Sequence, residues 1–185
     1  MHSGPQPPRR PPESFSTKRL VCRRTKSGDA PSIFEAYAAD PEVTRFLAWR
    51  PHPSVESLAA FLGTQIEAWD KGTSFRYEMC LIGTDTPIGA IDLRPEATRV
   101  SYGYVLARQH WRMGLMAEAL GWLVDSSLEQ PGIFRAFAFC DVENLGSARV
   151  MEKAGMVREG VLRRWHVCPN IGPEPRDCMI YAKTR

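Results

Sequence analysis

Between Tyr104 and Leu120 the chain changes its hydrophobic period, and that change dictates the local fold. Tyr104, Val105 and Leu106 are a run of strand-favouring residues. Apolar residues then recur at 115, 116, 119, 120, 123, 124 and 128, the 3.6-residue spacing of a helix with one buried face. The segment between them must therefore be a tight loop around Gly114 that opens the helix. The first turn of a helix has amide N–H groups without internal partners and carries the positive end of the dipole, so an anion, above all a phosphate, is its natural occupant. Gly114 lets backbone approach such an anion closely, and Arg108 and Arg112 add cationic reach. From this segment alone, a phosphate or pyrophosphate site and an ordinary strand–loop–helix corner read the same way.

A second junction follows in Phe137 to Leu162. A hydrophobic strand runs into Asn144, a good N-cap, and the short helix after it stops at Gly155, a good residue just past a helix end. Another apolar strand follows directly.

Upstream, Leu20 to Arg24 reads as a strand, and Asp29 or Ser32 is expected to cap a helix running to about Ala39, with Ser32 and Glu35 at capping-box spacing. Pro41 to Phe46 reads as a turn, and two prolines keep Trp49 to Pro53 non-helical. Ser54 caps an amphipathic helix whose stripe includes Leu58, Phe61, Leu62, Ile66 and Trp69, ended by Lys71-Gly72. Strands are expected at Phe75 to Ile82 and Ile88 to Leu93, joined as a hairpin through Gly83 to Pro87, then at Val100 to Leu106, Phe134 to Cys140, Val157 to His166 and Met179 to Lys183. Strands clustered mid-chain and later alternating with helices predict an α+β (mixed α/β) domain, with one mixed sheet of about seven strands and helices on both faces.

Composition narrows the class. The 43% hydrophobic and 24% charged fractions are those of a globular domain, and 185 residues suit a single core. The net charge of +3 is too mild for a dedicated nucleic-acid binder, and no apolar run nears the length of a membrane span. The first 14 residues hold five prolines and no hydrophobic stretch, so 1–14 is expected to be a disordered Pro/Arg-rich tail rather than a secretory signal, and the domain to occupy 15–185. Cys22, Cys80, Cys140, Cys168 and Cys178 are odd in number and irregular in spacing. They support neither a disulfide framework nor a metal site, and the expected compartment is the cytoplasm.

Together the two junctions resemble motifs A and B of the GNAT N-acetyltransferase superfamily, and more closely its ribosomal-protein alanine and serine N-acetyltransferase branch. The resembling residues are Trp111-x-x-Gly114-x-Met116-x-Glu118-Ala119 and Asn144-x-x-Ser147-Ala-Arg-Val-Met-Glu-Lys-Ala-Gly155-Met156, within a looser likeness from about Thr17 to the C-terminus. The resemblance implies a mostly antiparallel twisted sheet whose parallel pair splays apart to admit coenzyme A. It places the pyrophosphate on the backbone of Trp111, Arg112, Met113, Gly114, Leu115, Met116 and Ala117, and the pantetheine arm against Tyr104, Val105, Leu106 and Asn144. Trp111 and Met116 depart from the family's commoner residues at positions that act through backbone.

Many relatives use a Tyr seven residues after the motif B Asn to protonate the departing thiolate; here that position is Met151. The branch resemblance puts Ser147 in that role, assisted by Asn144. Trp49, His52 and Asp92 are the expected acceptor-side residues, with Arg50 and the segment from Arg164 to Asp177 nearby, and the base stays open. Asp92 and Glu118 are the carboxylates nearest the implied cleft, and Glu118 reads as structural or cofactor-side. The implied activity is direct, ternary-complex transfer of acetyl from acetyl-CoA to a primary amine, a protein N-terminus or a small molecule, by a monomer or homodimer with no metal, nucleic acid or membrane partner. A non-catalytic acyl-CoA-binding module is the alternative.

Overall fold

A computed structural model describes residues 10–185. Its eight strands are β1 (Ser14–Ser16), β2 (Leu20–Arg24), β3 (Phe75–Leu81), β4 (Pro87–Glu96), β5 (Arg99–Leu106), β6 (Arg135–Asp141), β7 (Val157–Val167) and β8 (Pro175–Thr184). They form one sheet in the order β1-β2-β3-β4-β5-β6-β8-β7. Every neighbouring pair is antiparallel except β5 with β6. The helices are α1 (Ala30–Ile33), continued by a π turn over Phe34–Ala38, then α2 (Pro41–Thr44), α3 (Val55–Lys71), α4 (Leu115–Leu128) and α5 (Leu145–Lys153). This is the mixed single-domain architecture expected of the sequence, with one strand more than the seven it signals.

Local chemistry explains the helix boundaries. Ser54 accepts a hydrogen bond from the Ser57 amide at the start of α3, and Gly72 follows its end. Asn144 Oδ1 accepts from the Ser147 amide at 3.1 Å, as an N-cap should. The expected caps at Asp29 and Ser32 take other work. The Asp29 carboxylate accepts from the Lys26 amide at 2.8 Å and pairs with Arg23, and Ser32 Oγ donates to the Asp29 carbonyl at 2.9 Å. Pro41 to Thr44, expected as a turn, is a one-turn helix because Asp40 accepts from the Glu42 amide.

The sheet carries a buried cluster on each side. Leu115, Leu120, Leu123 and Val124 of α4 and Met151 of α5 pack against Tyr102, Ala136, Ala138 and Tyr181. Ile33, Tyr37, Leu58 and Leu62 from the N-terminal helices pack on Ala90 and Val105. Each fully buried leucine of this kind is worth about 1.5–3 kcal/mol of transfer free energy. On the second side a charged network is also enclosed. Glu78, with no exposed surface, accepts from Thr25, Tyr37 and Arg76, and Arg76 reaches on to Asp92. Removing one partner from such a network strands the other, so its members hold one another in register.

The packed chain begins before the expected boundary. Residues 1–9 of the anticipated tail lie outside the described residues, but 10–14 are fastened to the domain. Arg10 donates to the Asp70 carbonyl, the Tyr77 hydroxyl donates to the Pro12 carbonyl at 2.6 Å, and the Arg24 amide donates to the Glu13 carbonyl at 2.9 Å. Phe15 then stacks on Trp122 with ring centroids 3.9 Å apart. A chain beginning at Ser14 leaves the Tyr77 hydroxyl without its acceptor. Compared with a chain beginning at Arg10, it is expected to lose about 1–3 kcal/mol. At about 2–4 °C per kcal/mol, thermal denaturation checks this as a melting point lower by roughly 2–12 °C.

Candidate active site

The site starts from a failure of pairing. β4 accompanies β5 from Glu96↔Arg99 to Gly89↔Leu106, and β8 accompanies β6 from Arg135↔Thr184 to Asp141↔Cys178. Between β5 and β6 only Arg99↔Arg135, Val100↔Ala136 and Ser101↔Phe137 are in register. Beyond them the strands part, leaving the inner edges of Tyr102–Leu106 and Ala138–Asp141 without a sheet neighbour. Gly89 shows how closely β4 holds β5, since a Cβ there would stand 2.5 Å from the Val105 carbonyl oxygen.

One flank of the opening is the loop after β5. Arg112 (φ +65°) and Gly114 (φ +77°) both take left-handed backbone, a costly conformation for arginine that turns successive amides outward. Among the described residues the Arg112, Met113 and Gly114 amides have no backbone acceptor. The first bond of α4 is Glu118 N–H to the Gly114 carbonyl at 3.0 Å, so the amides of Leu115, Met116 and Ala117 also point out of the helix end. The side chains of those three residues are buried in the core, which leaves only their backbone to the site. Trp111 is half-exposed and its indole N–H donates to the Leu106 carbonyl at 2.7 Å. The Leu106 carbonyl is thereby occupied, and the free β5 edge is that of the residues before it.

The loop is clamped from the turn between β1 and β2, which the sequence did not announce. Glu118 accepts from Thr17 Oγ1 at 2.6 Å, from the Arg19 amide at 2.9 Å and from Arg19 Nε at 2.7 Å, while Arg19 Nη1 donates to the Met113 carbonyl at 2.9 Å. Burial pushes the Glu118 carboxyl upward, but these bonds and the Arg19 charge outweigh it and hold the group below its ordinary value. It is a brace for the loop.

The other flank is the cap of α5. Ser147 lies in its first turn, and the Tyr104 hydroxyl, projecting from β5, stands 2.6 Å from Ser147 Oγ and 3.2 Å from the Ser147 carbonyl. Cys140, the next to last residue of β6, lies under the same turn, its thiol 3.7 Å from the Asn144 carbonyl and pushed up to about 11 by burial. Met151 is wholly buried in the core.

On the opposite side of the sheet, the rings of Trp49, His52 and Phe61 follow one another at 5.3 and 5.6 Å, with His52 Nδ1 3.3 Å from Ser57 Oγ. Asn170 Nδ2 donates to the carbonyls of Thr44 and Trp49 at 2.7 and 2.8 Å, tying the β7–β8 connection to the segment between α2 and α3. A bulge between Leu162 and His166, with Arg164 at φ +45°, sets the His166 ring 5.2 Å from Phe139. Burial lowers both imidazoles, and the Arg76 charge lowers His52 further, so both are neutral at pH 7. Asp92 is committed elsewhere, its carboxylate held by Arg76 at 3.3 Å and Arg94 at 3.5 Å. Among the described residues no cluster of His, Cys, Asp and Glu could hold a metal ion, and no helix is long and apolar enough to cross a membrane.

The family model described as an acetyltransferase (GNAT) domain matches residues 19–157, the span that contains both flanks. The chain belongs to this family. It is similar to the uncharacterized N-acetyltransferase YoaA of Bacillus subtilis (strain 168), with 29% identity over 154 residues, 82% of this chain and 86% of the relative. Two solved structures share the fold. The RimL ribosomal-protein acetyltransferase in complex with coenzyme A has a TM-score of 0.81 at 18% identity, covering 93% of this chain and 98% of that one. The self immunity acetyltransferase MccE in complex with acetyl-CoA and AMP has a TM-score of 0.83 at 15% identity, covering 95% and 98%.

In this N-acetyltransferase, then, the loop after β5 presents backbone amides to the opening and the first turn of α5 presents side chains. A branched residue at position 114 tests the first half. Gly114→Val forces a β-branched side chain into left-handed backbone, costing about 1–2 kcal/mol, and sets it beside the Arg19 guanidinium that braces the loop, 3.6 Å from the Cβ. Calorimetry should find coenzyme A binding weakened at least about tenfold, a loss of about 1.4 kcal/mol or more, in a protein that still melts cooperatively.

Proposed function

We propose that this chain transfers the acetyl group of acetyl-CoA directly to a primary amine, the α-amine of a protein N-terminus or a small-molecule amine, within a ternary complex. The observation that carries this reading is the opening between β5 and β6, flanked by outward amides at 112–117 on one side and by Asn144 and Ser147 on the other. Ligands of sheets with parallel strands bind at the carboxyl ends of those strands, which is where both flanks lie. The fit is chemical as well as positional. Unpartnered amides and a helix N-terminus suit a pyrophosphate, and an unpaired strand edge suits an amide-bearing arm.

When bound, acetyl-CoA supplies the acyl thioester. Arg112, Met113 and Gly114 and the first turn of α4 hold the diphosphate through N–H groups. The free backbone edge at Tyr104, with Val105 behind it paired to β4, and the Asn144 side-chain amide orient the arm. Ser147 donates a hydrogen bond to the departing sulfur as charge develops there. The thiolate needs stabilising more than protonating, since an ordinary thiol has a pKa of about 8.5.

The acceptor amine must be neutral. A lysine amine is about one part in a thousand neutral at pH 7.4 and an α-amine about a quarter, so an α-amine asks for only a weak base. His52 and His166, both neutral at pH 7, are suited to accept that proton directly or through water. RimL, solved with coenzyme A, is a ribosomal-protein α-N acetyltransferase, which favours α-amines among the acceptors.

Thiol release measured with acetyl-CoA and a panel of amino-terminal peptides, polyamines and amino acids tests the reading. Turnover on at least one amine is expected; tight acetyl-CoA binding without turnover on any would make the chain an acyl-CoA-binding module. General acid catalysis is worth about 10²–10⁴-fold, but thiolate is a good leaving group, so Ser147→Ala is expected to lower kcat by about 10-fold. The KM for acetyl-CoA should barely move, because the lost bond strengthens only in the transition state.

A further inference from the structure

We propose that Tyr104 is the positioning residue for Ser147, its phenol fixing the serine hydroxyl so that the serine proton is presented to the departing sulfur. The inference rests on the reading of the site as an acetyl-CoA site. It starts from a hydroxyl that can do two opposite things. Ser147 Oγ has one proton; if it donates to Tyr104, nothing remains for the sulfur.

The distances allow the productive arrangement. Tyr104 Oη lies 2.6 Å from Ser147 Oγ but 3.2 Å from the Ser147 carbonyl, and hydroxyl donors hold their acceptors at about 2.5–3.0 Å. Either hydroxyl can be the donor across the shorter contact; with the phenol proton on Oγ, the direction that frees the serine, the serine proton points away from Tyr104. An oxygen that accepts a hydrogen bond is also a stronger donor through its own proton. Tyr104 itself keeps its proton. Burial raises its pKa far above neutrality, partly offset by the bond to Ser147, and its titratable neighbours Cys140 and Tyr181 are raised as well. Its action is thus through Ser147.

The arrangement also accounts for the buried thioether of Met151 at the position where many relatives carry the acid. The chain brings a phenol to the first turn of α5 from β5, across the opening, 43 residues earlier in sequence.

Tyr104→Phe, Ser147→Ala and the double variant, compared with the parent, test this by three readouts: calorimetric binding of coenzyme A, turnover, and the pKa of the bound coenzyme thiol followed by thiolate absorbance. Tyr104→Phe is expected to bind coenzyme A like the parent and to lose about fivefold in kcat at unchanged KM. Its bound thiol pKa should rise by about half a unit, against about one unit for Ser147→Ala, the sign expected when a hydrogen bond to the charged form weakens. The double variant should fall no lower than Ser147→Ala alone, as coupled residues do. If Tyr104→Phe fails to fold, 3-fluorotyrosine placed at position 104 alone keeps the ring and makes a stronger donor, and the bound thiol pKa should then fall. Parental kcat and thiol pKa in Tyr104→Phe, or a double-variant loss equal to the product of the single losses, would overturn the proposal while leaving Ser147 in its role. A parent that binds no coenzyme A would instead bring down the acetyl-CoA reading itself.

Discussion

The parallel pairing of β5 with β6 ends at Ser101 and Phe137, while each strand keeps its antiparallel neighbour to its far end. The imbalance is physically cheap, because parallel pairing is slightly weaker per residue than the antiparallel pairing retained on either side. Each strand has a reason to follow its outer partner: β5 is drawn to β4 at Gly89, and β6 runs beside β8 over its whole length. What remains is a pair of inner edges whose peptide groups need a polar partner that the fold does not provide. Every other feature of the site is arranged around that opening.

The two flanks were legible because their signals are local. Gly114, with the switch from strand to helical period behind it, and Asn144, three residues before Ser147, declare themselves within a turn of chain. The contacts that rigidify those flanks were not legible. Arg19 and Glu118 lie 99 residues apart, and Tyr104 and Ser147 lie 43 apart. No periodicity connects them; only the sheet order does. Tyr104 lies in β5, as its strand-favouring run predicts, yet strand propensity says nothing of which side chain crosses to which helix. β1 escaped for a different reason, since three residues are too few to show an alternation. Asp92 looked available because sequence alone cannot see Arg76, one strand over, reaching for it.

The two sides of the sheet divide the work. Around Glu78 and Arg76 the polar groups are enclosed and mutually satisfied, fixing the N-terminal helices on the strands. Near the opening they are fewer and less saturated: outward amides in the motif A loop, one Asn amide and one serine hydroxyl. A saturated network resists change, whereas a partly saturated one is ready to receive a ligand. The Arg19–Glu118 brace lets the motif A loop keep a left-handed arginine without relaxing toward an easier backbone.

The bulge that turns His166 inward has a consequence on the outer rim of the molecule. A sheet that does not close has two borders, and each is an invitation to another chain. β1 offers only three residues there. β7 offers eleven, but its register with β8 breaks between Arg158 and Gly160 and again between Leu162 and His166. Arg158, Glu159, Arg163 and Arg164 stud the same stretch with charge. A neighbouring strand therefore finds no long regular ladder to continue. The irregularity that sets His166 against Phe139 thus also works against one molecule's sheet being extended by the next, a safeguard against fibrous assembly written into the same few residues.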